Sequence, residues 1–252
     1  MYLSTIVLIV ILAIAGAYGV RTFPLALVVA VVSCVIIEMA IVKVTGQKPR
    51  VPLVAIITGL IIGSVAPIDA SFFLIIAACL IAETTKFFLK AKGRNIFNPA
   101  AIGLLVALVA FGAGDEWWAA VSVHAHGLLI PLAAILIIAA YEGRRWIAGL
   151  SAAAVGAVGI IILSGTGLSG AGVVASILSV NYFFAFLMVA DPKTSPNAPA
   201  GQILYGVGIA AISALLLFAH VPYSLLISLI VANIVYALFR VFYKSESHKT
   251  AL

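Results

Sequence analysis

The sequence predicts an all-α polytopic membrane protein of about ten transmembrane helices, and three observations predict this fold class. The 252 residues are 65% hydrophobic and 9% charged, whereas soluble chains are about half apolar and a quarter charged. Apolar runs close to the ~20 residues that cross the hydrocarbon core follow one another along the chain. The cationic residues collect in alternate breaks between these runs, as they do in multi-pass membrane proteins.

Short polar or helix-breaking segments separate the apolar runs. Pro52–Ala66 and Pro99–Ala113 are short for a span, so we expect tilted, broken or re-entrant helices there, with protein covering their backbone. The chain is predicted to form one membrane domain, residues 1–243, and residues 244–252 a cytoplasmic tail. The ten candidate spans are Leu3–Val20, Pro24–Val44, Pro52–Ala66, Ala70–Leu89, Pro99–Ala113, His126–Tyr141, Trp146–Leu163, Gly172–Ala190, Gly201–Ala219 and Pro222–Tyr243.

Charge placement predicts the orientation. With ten alternating spans, all but one of the 14 Lys and Arg residues fall on or near one side, and Arg21 falls on the other. Cations accumulate on cytoplasmic loops, so both termini are predicted to be cytoplasmic in a multi-pass protein of the cell membrane. The first span has no preceding cation, which favours a retained helix over a signal peptide. The basic balance therefore indicates a lipid bilayer as partner and requires no nucleic acid.

A polar break, "GRNIFNPAA", precedes the fifth span. Asn98 suits a helix N-cap and Pro99 the first helical position. Beside Arg94 and Asn95, the N-terminus of this helix would suit an anion or the polar edge of a ring. The other interpretation is a capped helix behind a positively charged cytoplasmic loop.

A second polar break, "VADPKTSPNAPAG", lies a hundred positions later. Asp191 precedes a proline and ends a helix. Its carboxylate could shape the turn, accept from a ligand N–H, or pair with Arg94. Because the Pro-Ala pairs of the two breaks align at 99 and 199, the sequence suggests two weakly related halves, as in many transporters.

Two acids fall inside predicted spans. Glu38 and Glu83 are costly in a membrane unless paired, which favours ion or proton handling as one hypothesis. The alternative is structural: Glu83 lies one turn from Lys86, and Glu38 lies near Lys43 and the headgroups.

Other reactive side chains point to no catalytic or metal centre. Cys34 and Cys79 lie in predicted spans and form no Cys-x-x-Cys motif, as expected for buried, unpaired thiols. His124 and His126 lack a third ligand at a spacing that would require a metal. We recognise no nucleophile–base pair.

Five stretches occur in an order that resembles one family: "ITGLIIGSVAP" (57–67), "TKFFLKAKGRNIFNPAAIGLL" (85–105), "FFAFLMVADPKTSP" (183–196), "GQILYGVGIA" (201–210) and "LLISLIVANIVYALF" (225–239). This is the NqrB/RnfD family, the membrane component shared by the sodium-pumping NADH:quinone oxidoreductase and the Rnf electron transport complex. The resemblance implies ten helices in a urea-transporter-like bundle. It also implies riboflavin held non-covalently and FMN esterified to a threonine. The connection Gly112–Gly127 contains no threonine, so covalent FMN is not expected here.

The resemblance also implies a site for riboflavin or FMN, bound without a covalent link. Thr58 and Gly59 match a segment associated with quinone approach, where glycine would let a flat ring come near the backbone. The implied function is flavin-binding electron transport within a redox-driven ion-translocating complex, with other subunits or further copies of the chain as partners. The alternative is a channel for a small solute, urea-like or flavin, of the same architecture. The implied flavin-binding residues are Arg94, Asn95, Asn98, Pro99, Ala100, Asp191, Pro192 and Thr194.

Overall fold

The computed structural model describes residues 6, 9, 24–48, 51–118, 137, 141, 143–165 and 169–246. Within them, eight α-helices and one π-helical segment account for nearly all regular structure. In chain order the elements are α1 (Leu25–Val44), α2 (Leu53–Val65), α3 (Phe72–Phe88), β1 (Lys90–Ala91), β2 (Arg94–Asn95), α4 (Pro99–Phe111), α5 (Trp146–Ser164), α6 (Gly170–Leu178), the π-helix (Phe184–Val189), α7 (Pro199–Phe218) and α8 (Ser224–Glu246).

The helices fall into long and short classes. Among the described residues, four segments are long and apolar enough to cross a membrane, and they lie in α1, α5, α7 and α8. Helices α2 and α4 have 13 residues each, about 20 Å at 1.5 Å per residue, against ~30 Å of hydrocarbon. The expectation of short helices at these two positions is confirmed. The predicted spans Leu3–Val20 and His126–Tyr141 lie almost wholly outside the described residues, so the count of ten and the urea-transporter-like arrangement remain predictions.

The predicted span Gly172–Ala190 is wrong as a single helix. Helix α6 ends at Leu178, and Asn181 starts a new helical segment by accepting a hydrogen bond from the Phe184 N–H at 2.9 Å. That segment continues as the π-helix. The helix can break and restart at this point because the Asn181 side chain satisfies one of the N–H groups that a new helix start leaves without partners.

Close backbone contact, made possible by glycine, sets the packing of α4 and α7. A Cβ on Gly103 would lie 2.3 Å from the Ala78 carbonyl oxygen of α3, and a Cβ on Gly206 would lie 2.3 Å from the Ala148 carbonyl oxygen of α5. Small residues at such contacts are typical of helix pairs in membranes. The two helices that begin with Pro-Ala therefore pack on different neighbours, α4 on the helix before it and α7 on α5.

Helix ends gather on two opposite faces. One face, called here the cation-rich face, carries the C-terminal ends of α1, α3 and α8 and the N-terminal ends of α2, α4, α5 and α7, which are joined by the contacts described below. At the opposite face, the Tyr223 hydroxyl donates to the Ala113 carbonyl at 2.7 Å, and Glu116 accepts from the Ile68 N–H at 2.9 Å. The alternation of the described helices agrees with the predicted charge segregation; which face is cytoplasmic remains a prediction from the cations.

Candidate functional site

The first polar loop, residues 89–98, is a small β-hairpin. Ala91 lies opposite Arg94 in the two-stranded ladder. Lys92 and Gly93 form the turn with φ angles of 49° and 75°, a combination that the tight turns between antiparallel strands require. The hairpin holds Arg94 beside the second polar loop, residues 190–198.

Arg94 joins the two polar loops. Its guanidinium donates to three backbone carbonyls of the second loop and also reaches the side chains of Asn197 and Tyr236. A planar guanidinium with five N–H donors suits several acceptors converging from one loop. The two polar breaks, whose residues the family resemblance implies for one flavin site, meet at this point. The acceptors are the carbonyls of Pro192 at 2.6 Å, Ser195 at 2.8 Å and Lys193 at 3.3 Å, Asn197 Oδ1 at 3.3 Å and the Tyr236 hydroxyl at 3.4 Å.

Asn98 makes a second link, from the first loop to the π-helix that precedes the second loop. Its Oδ1 caps α4 by accepting from the Ala101 N–H at 3.2 Å, and its Nδ2 donates to the Met188 carbonyl of the π-helix at 3.3 Å. Asn98 is 3% exposed, and Pro99 and Ala100 are also buried. The N-cap prediction is confirmed. The idea that this helix N-terminus stands open to an anion is wrong, because protein covers it.

Asp191 shapes the second loop from within. Its Oδ1 accepts from the Lys193 N–H and its Oδ2 from the Thr194 hydroxyl, each at 3.0 Å. The Ser195 hydroxyl donates to the Asp191 carbonyl at 2.7 Å. Desolvation raises the pKa of the Asp191 carboxyl, against these two hydrogen bonds and the nearby cations. Of its three sequence interpretations, the turn is the one the geometry supports; no ion pair joins Asp191 to Arg94 among the described residues.

Helix α8 closes the junction from a side that the sequence analysis missed. The Arg240 guanidinium donates to the Asn95 carbonyl at 3.0 Å and lies 5.1 Å from the centre of the Tyr236 ring. The Arg94 guanidinium lies 5.9 Å from the same ring. Residues 233, 236 and 240 share one face of a helix at the i, i+3, i+7 spacing, and this polar stripe in an apolar segment was the available signal.

Deeper in α7 and α8, Tyr205 donates its hydroxyl to Asn233 Oδ1 at 2.5 Å. Asn233 is fully buried, and its Nδ2 has no hydrogen-bond partner among the described residues. Buried polar groups without partners are uncommon in folded proteins. The Tyr205–Asn233 pair therefore extends the polar junction into the apolar interior.

The start of α5 contributes one more guanidinium. Arg145 donates to Asn197 Oδ1, which it shares with Arg94. Burial lowers the pKa of the Arg145 guanidinium, and the nearby positive charge of Arg94 lowers it further. The Arg145 guanidinium remains charged at neutral pH, because arginine pKa values start so high. The junction is thus rich in positive charge.

A buried ion-pair triad lies next to the junction. Lys86 Nζ is 2.8 Å from Glu38 Oε2 and also pairs with Glu83 one turn earlier on α3. Lys86, Glu38 and Glu83 are 5%, 2% and 0% exposed. The predicted Glu83–Lys86 pair is confirmed. Placing Glu38 with Lys43 and the headgroups was wrong, because α1 and α3 pack so that Glu38 faces Lys86 instead.

A cavity of about 390 Å³ connects the triad with the hairpin. Arg94, Asn95 and Pro192, three of the eight residues implied for flavin binding, line it. Asn98, Pro99, Ala100, Asp191 and Thr194 do not. The full lining is Glu38, Val51, Leu53, Val54, Lys86, Phe87, Lys90, Gly93, Arg94, Asn95, Pro192 and Lys193.

Thr58 and Gly59 serve helix contact in this structure. A Cβ on Gly59 would lie 2.6 Å from the Val31 Cα of α1, and the Thr58 hydroxyl donates to the Val54 carbonyl at 2.9 Å. The premise that Gly59 presents an open face to a ring is wrong, since α1 covers that face. Quinone approach elsewhere along this segment stays a prediction.

The described residues contain no group of three His, Cys, Asp or Glu side chains placed to hold a metal ion. Cys34 and Cys79 are buried and free, as predicted. His124 and His126 lie outside the described residues. Within the described ranges, then, the polar chemistry concentrates at the cation-rich face.

Apolar helices, several of them long enough to span a bilayer, and an interior polar junction define a multi-pass membrane protein with a candidate ligand site at one face. The model of the NQR2, RnfD, RnfE family matches residues 1–134, more than half of the chain, and the chain belongs to this family. It is accordingly a membrane component of the redox-driven ion-translocating Nqr and Rnf type, which works as one subunit among several. No curated protein matches the chain. The matched range includes the first polar loop and ends before the second.

Proposed function

We propose that the chain is a flavin-binding electron-transport subunit that holds riboflavin or FMN without a covalent bond in the cavity beside Arg94. The observation that carries the proposal is the junction itself, where residues from both polar loops line one recess. Small-molecule sites are commonly clefts of ~300–1,000 Å³, and this cavity of about 390 Å³ falls in that range.

Two features of the cavity fit a flavin ring system. Phe87 supplies an aromatic face in the wall. Asn95 is 5% exposed, and its Nδ2 has no acceptor among the described residues. The carbonyl oxygens of an isoalloxazine edge would accept from such a donor. Asp191 does not contribute to this fit, because its carboxylate already holds the turn.

When bound, a flavin supplies the electron-exchange chemistry that amino-acid side chains lack. The chain would bind and orient it. Asn95 would donate to its polar edge, and Arg94 and Lys86 would place positive charge near it, which favours electron uptake. Helix α8 would keep Asn95 in place through the Arg240 contact to the Asn95 carbonyl.

We assign the buried triad to the coupling ion. Two carboxylates and one ammonium leave one negative charge in excess, and an uncompensated charge in the interior is very costly. A proton on one carboxyl, or a bound monovalent cation, would balance Glu38 and Glu83 against Lys86. Ion transport by the assembled complex in proteoliposomes should therefore be lost in Glu38→Gln.

The test of the flavin assignment is the visible spectrum of the full chain purified in mild detergent. We expect flavin absorption bands, with riboflavin or FMN released into solution by acid, as non-covalent binding requires. Arg94→Gln should lower the flavin content, and Lys43→Gln, an exposed cation on the same face, should not. A colourless protein that also fails to bind added flavin would refute the assignment.

A small-solute channel is the second candidate, and the broken helix favours it. An apolar cavity of about 240 Å³ borders the break at residues 179–181, between α5, α7 and the start of α8. Its lining shares no residue with the cavity beside Arg94. Discontinuous helices often border transport sites. Uptake of labelled urea or riboflavin by proteoliposomes, unaffected by Arg94→Gln and without a chromophore, would select this function.

A further inference from the structure

Positive charge dominates the cavity beside Arg94. Four cationic side chains and one carboxylate, that of Glu38, line it. The carboxylate belongs to the Glu38–Lys86–Glu83 triad, which carries at most one excess negative charge. Three further cations, Lys90, Arg94 and Lys193, exceed this charge even when the Asp191 carboxylate near Arg94 and Lys193 is counted as a second negative charge.

Neutral groups hold two of these cations in place. Arg94 donates to backbone carbonyls, an amide oxygen and a hydroxyl, and Lys90 Nζ lies 5.9 Å from the centre of the Phe87 ring. Such partners orient a cation without cancelling its charge. The field in the cavity therefore favours an anion.

Asn95 adds a directional donor. It lines the cavity and is 5% exposed, and its Nδ2 has no hydrogen-bond acceptor among the described residues. A buried donor left without an acceptor is unfavourable, and a bound oxygen would remove that cost. An anion with several acceptor oxygens would satisfy this amide and the surrounding cations together.

We propose that this cavity binds a phosphate group, either of a soluble phosphate ester or of an anionic phospholipid headgroup. The site opens at the cation-rich face, where both sources meet the protein if that face is cytoplasmic. Phosphate binding goes beyond the flavin assignment because it requires no flavin: FMN is one phosphate ester that would fit, but a phosphate ester or headgroup without a ring system would occupy the same recess in place of riboflavin.

The test measures the melting temperature of the full chain in detergent, by tryptophan fluorescence, against increasing inorganic phosphate and against sodium chloride at equal ionic strength. A specific ligand raises the melting temperature as its concentration exceeds the dissociation constant. We expect phosphate to stabilise the protein and chloride not to. A parallel arm compares nanodiscs of phosphatidylcholine with and without phosphatidylglycerol, and native mass spectrometry counts the retained lipid.

Variants distinguish phosphate binding at this site from a general salt effect, because phosphate also stabilises folded proteins non-specifically by favouring the burial of apolar surface. Asn95→Asp keeps the side-chain shape but faces the anion with a carboxylate, and we expect at least about tenfold weaker phosphate binding. Lys90→Gln, on the surface, should weaken it by about threefold. Lys43→Gln, outside the cavity on the same face, should change nothing. Circular dichroism checks that each variant is folded.

The arms also identify the source of the phosphate. Stabilisation by inorganic phosphate alone assigns a soluble ester, retention of phosphatidylglycerol alone assigns a lipid, and either result supports the site. Three results would overturn the site. Phosphate could stabilise Asn95→Asp and Lys90→Gln as much as the wild type, Lys43→Gln could lose as much phosphate affinity as they do, or the protein could respond to neither ligand. Flavin spectra are recorded separately, so the phosphate site and the flavin assignment can fail independently.

Discussion

The two polar loops each lead into a helix that starts with Pro-Ala, and they have opposite roles. The first is a hairpin that sends side-chain donors outward, Arg94 across the junction and Asn98 to the Met188 carbonyl. The second folds around Asp191, which satisfies its own turn, and presents backbone carbonyls. One loop supplies donors and the other acceptors. The two loops are therefore complementary partners rather than two equal binding loops.

The helices that follow the loops differ in the same way. Helix α4 has a side-chain cap from Asn98 and begins inside the protein, whereas α7 begins at Ala198 with no side-chain cap and with residues 197–200 exposed. The first loop thus leads into a capped and buried helix start, whereas the second leads into an exposed and uncapped one. Substitutions in the two loops test this asymmetry.

Arg94→Gln should have the largest effect. It removes charge-assisted hydrogen bonds to three carbonyls of the second loop, and we expect a loss of about 3 kcal/mol in the free energy of unfolding. The melting temperature in detergent measures it. Arg94→Lys should recover part of the loss, since an ammonium keeps the charge without the planar fork. An unchanged melting temperature in Arg94→Gln would contradict this asymmetry between the loops.

Asn98→Ala should have the next largest effect, a loss of about 2 kcal/mol in the free energy of unfolding. It removes the cap of α4 and leaves the Met188 carbonyl without its amide donor. The same melting measurement applies. Amide hydrogen exchange should also become faster in the π-helix relative to α8. Unchanged exchange in the π-helix would show that the hydrogen bond from Asn98 to the Met188 carbonyl does not stabilise it.

Ala198→Asn should stabilise the protein, because it adds a helix cap at the position of the second loop that corresponds to Asn98. Ala198 has the extended backbone of an N-cap, φ −74° and ψ 139°, without a side chain that can accept. Adding an Asn cap should stabilise the protein by about 1 kcal/mol. A destabilised variant would mean that the exposed start of α7 already has a partner in solution.

Asp191→Asn should give the smallest effect, and a pH-dependent one. Because the folded pKa of Asp191 is raised above its ordinary value of 3.8, the stability contributed by this carboxyl is fully present below pH 3.8 and is lost as the pH rises through the folded value. Between pH 7 and pH 4, the melting temperature of the wild type should rise relative to that of Asp191→Asn as the pH falls. The opposite trend would mean that the carboxylate is stabilised as an anion.

The membrane class, the short α2 and α4 and the Asn98 cap could be predicted, because each rests on composition or on neighbours within one turn. The Glu38–Lys86 pair could not, since it depends on the rotation of α1 against α3, which brings together residues far apart in the chain. The break at Asn181 lies in an apolar run where one polar residue outweighs the hydrophobic pattern. Asp191 was left undecided because both its turn and its ligand roles use the same oxygens.

Riboflavin titration of the detergent-purified chain, followed by quenching of flavin fluorescence, tests most directly whether the two loops form one flavin site. We predict saturable quenching with equal affinity in the wild type and Lys43→Gln, and at least about tenfold weaker binding in folded Arg94→Gln, which loses charge-assisted contacts. Affinity in Arg94→Gln equal to the wild type, or no binding in any of the three proteins, would contradict it.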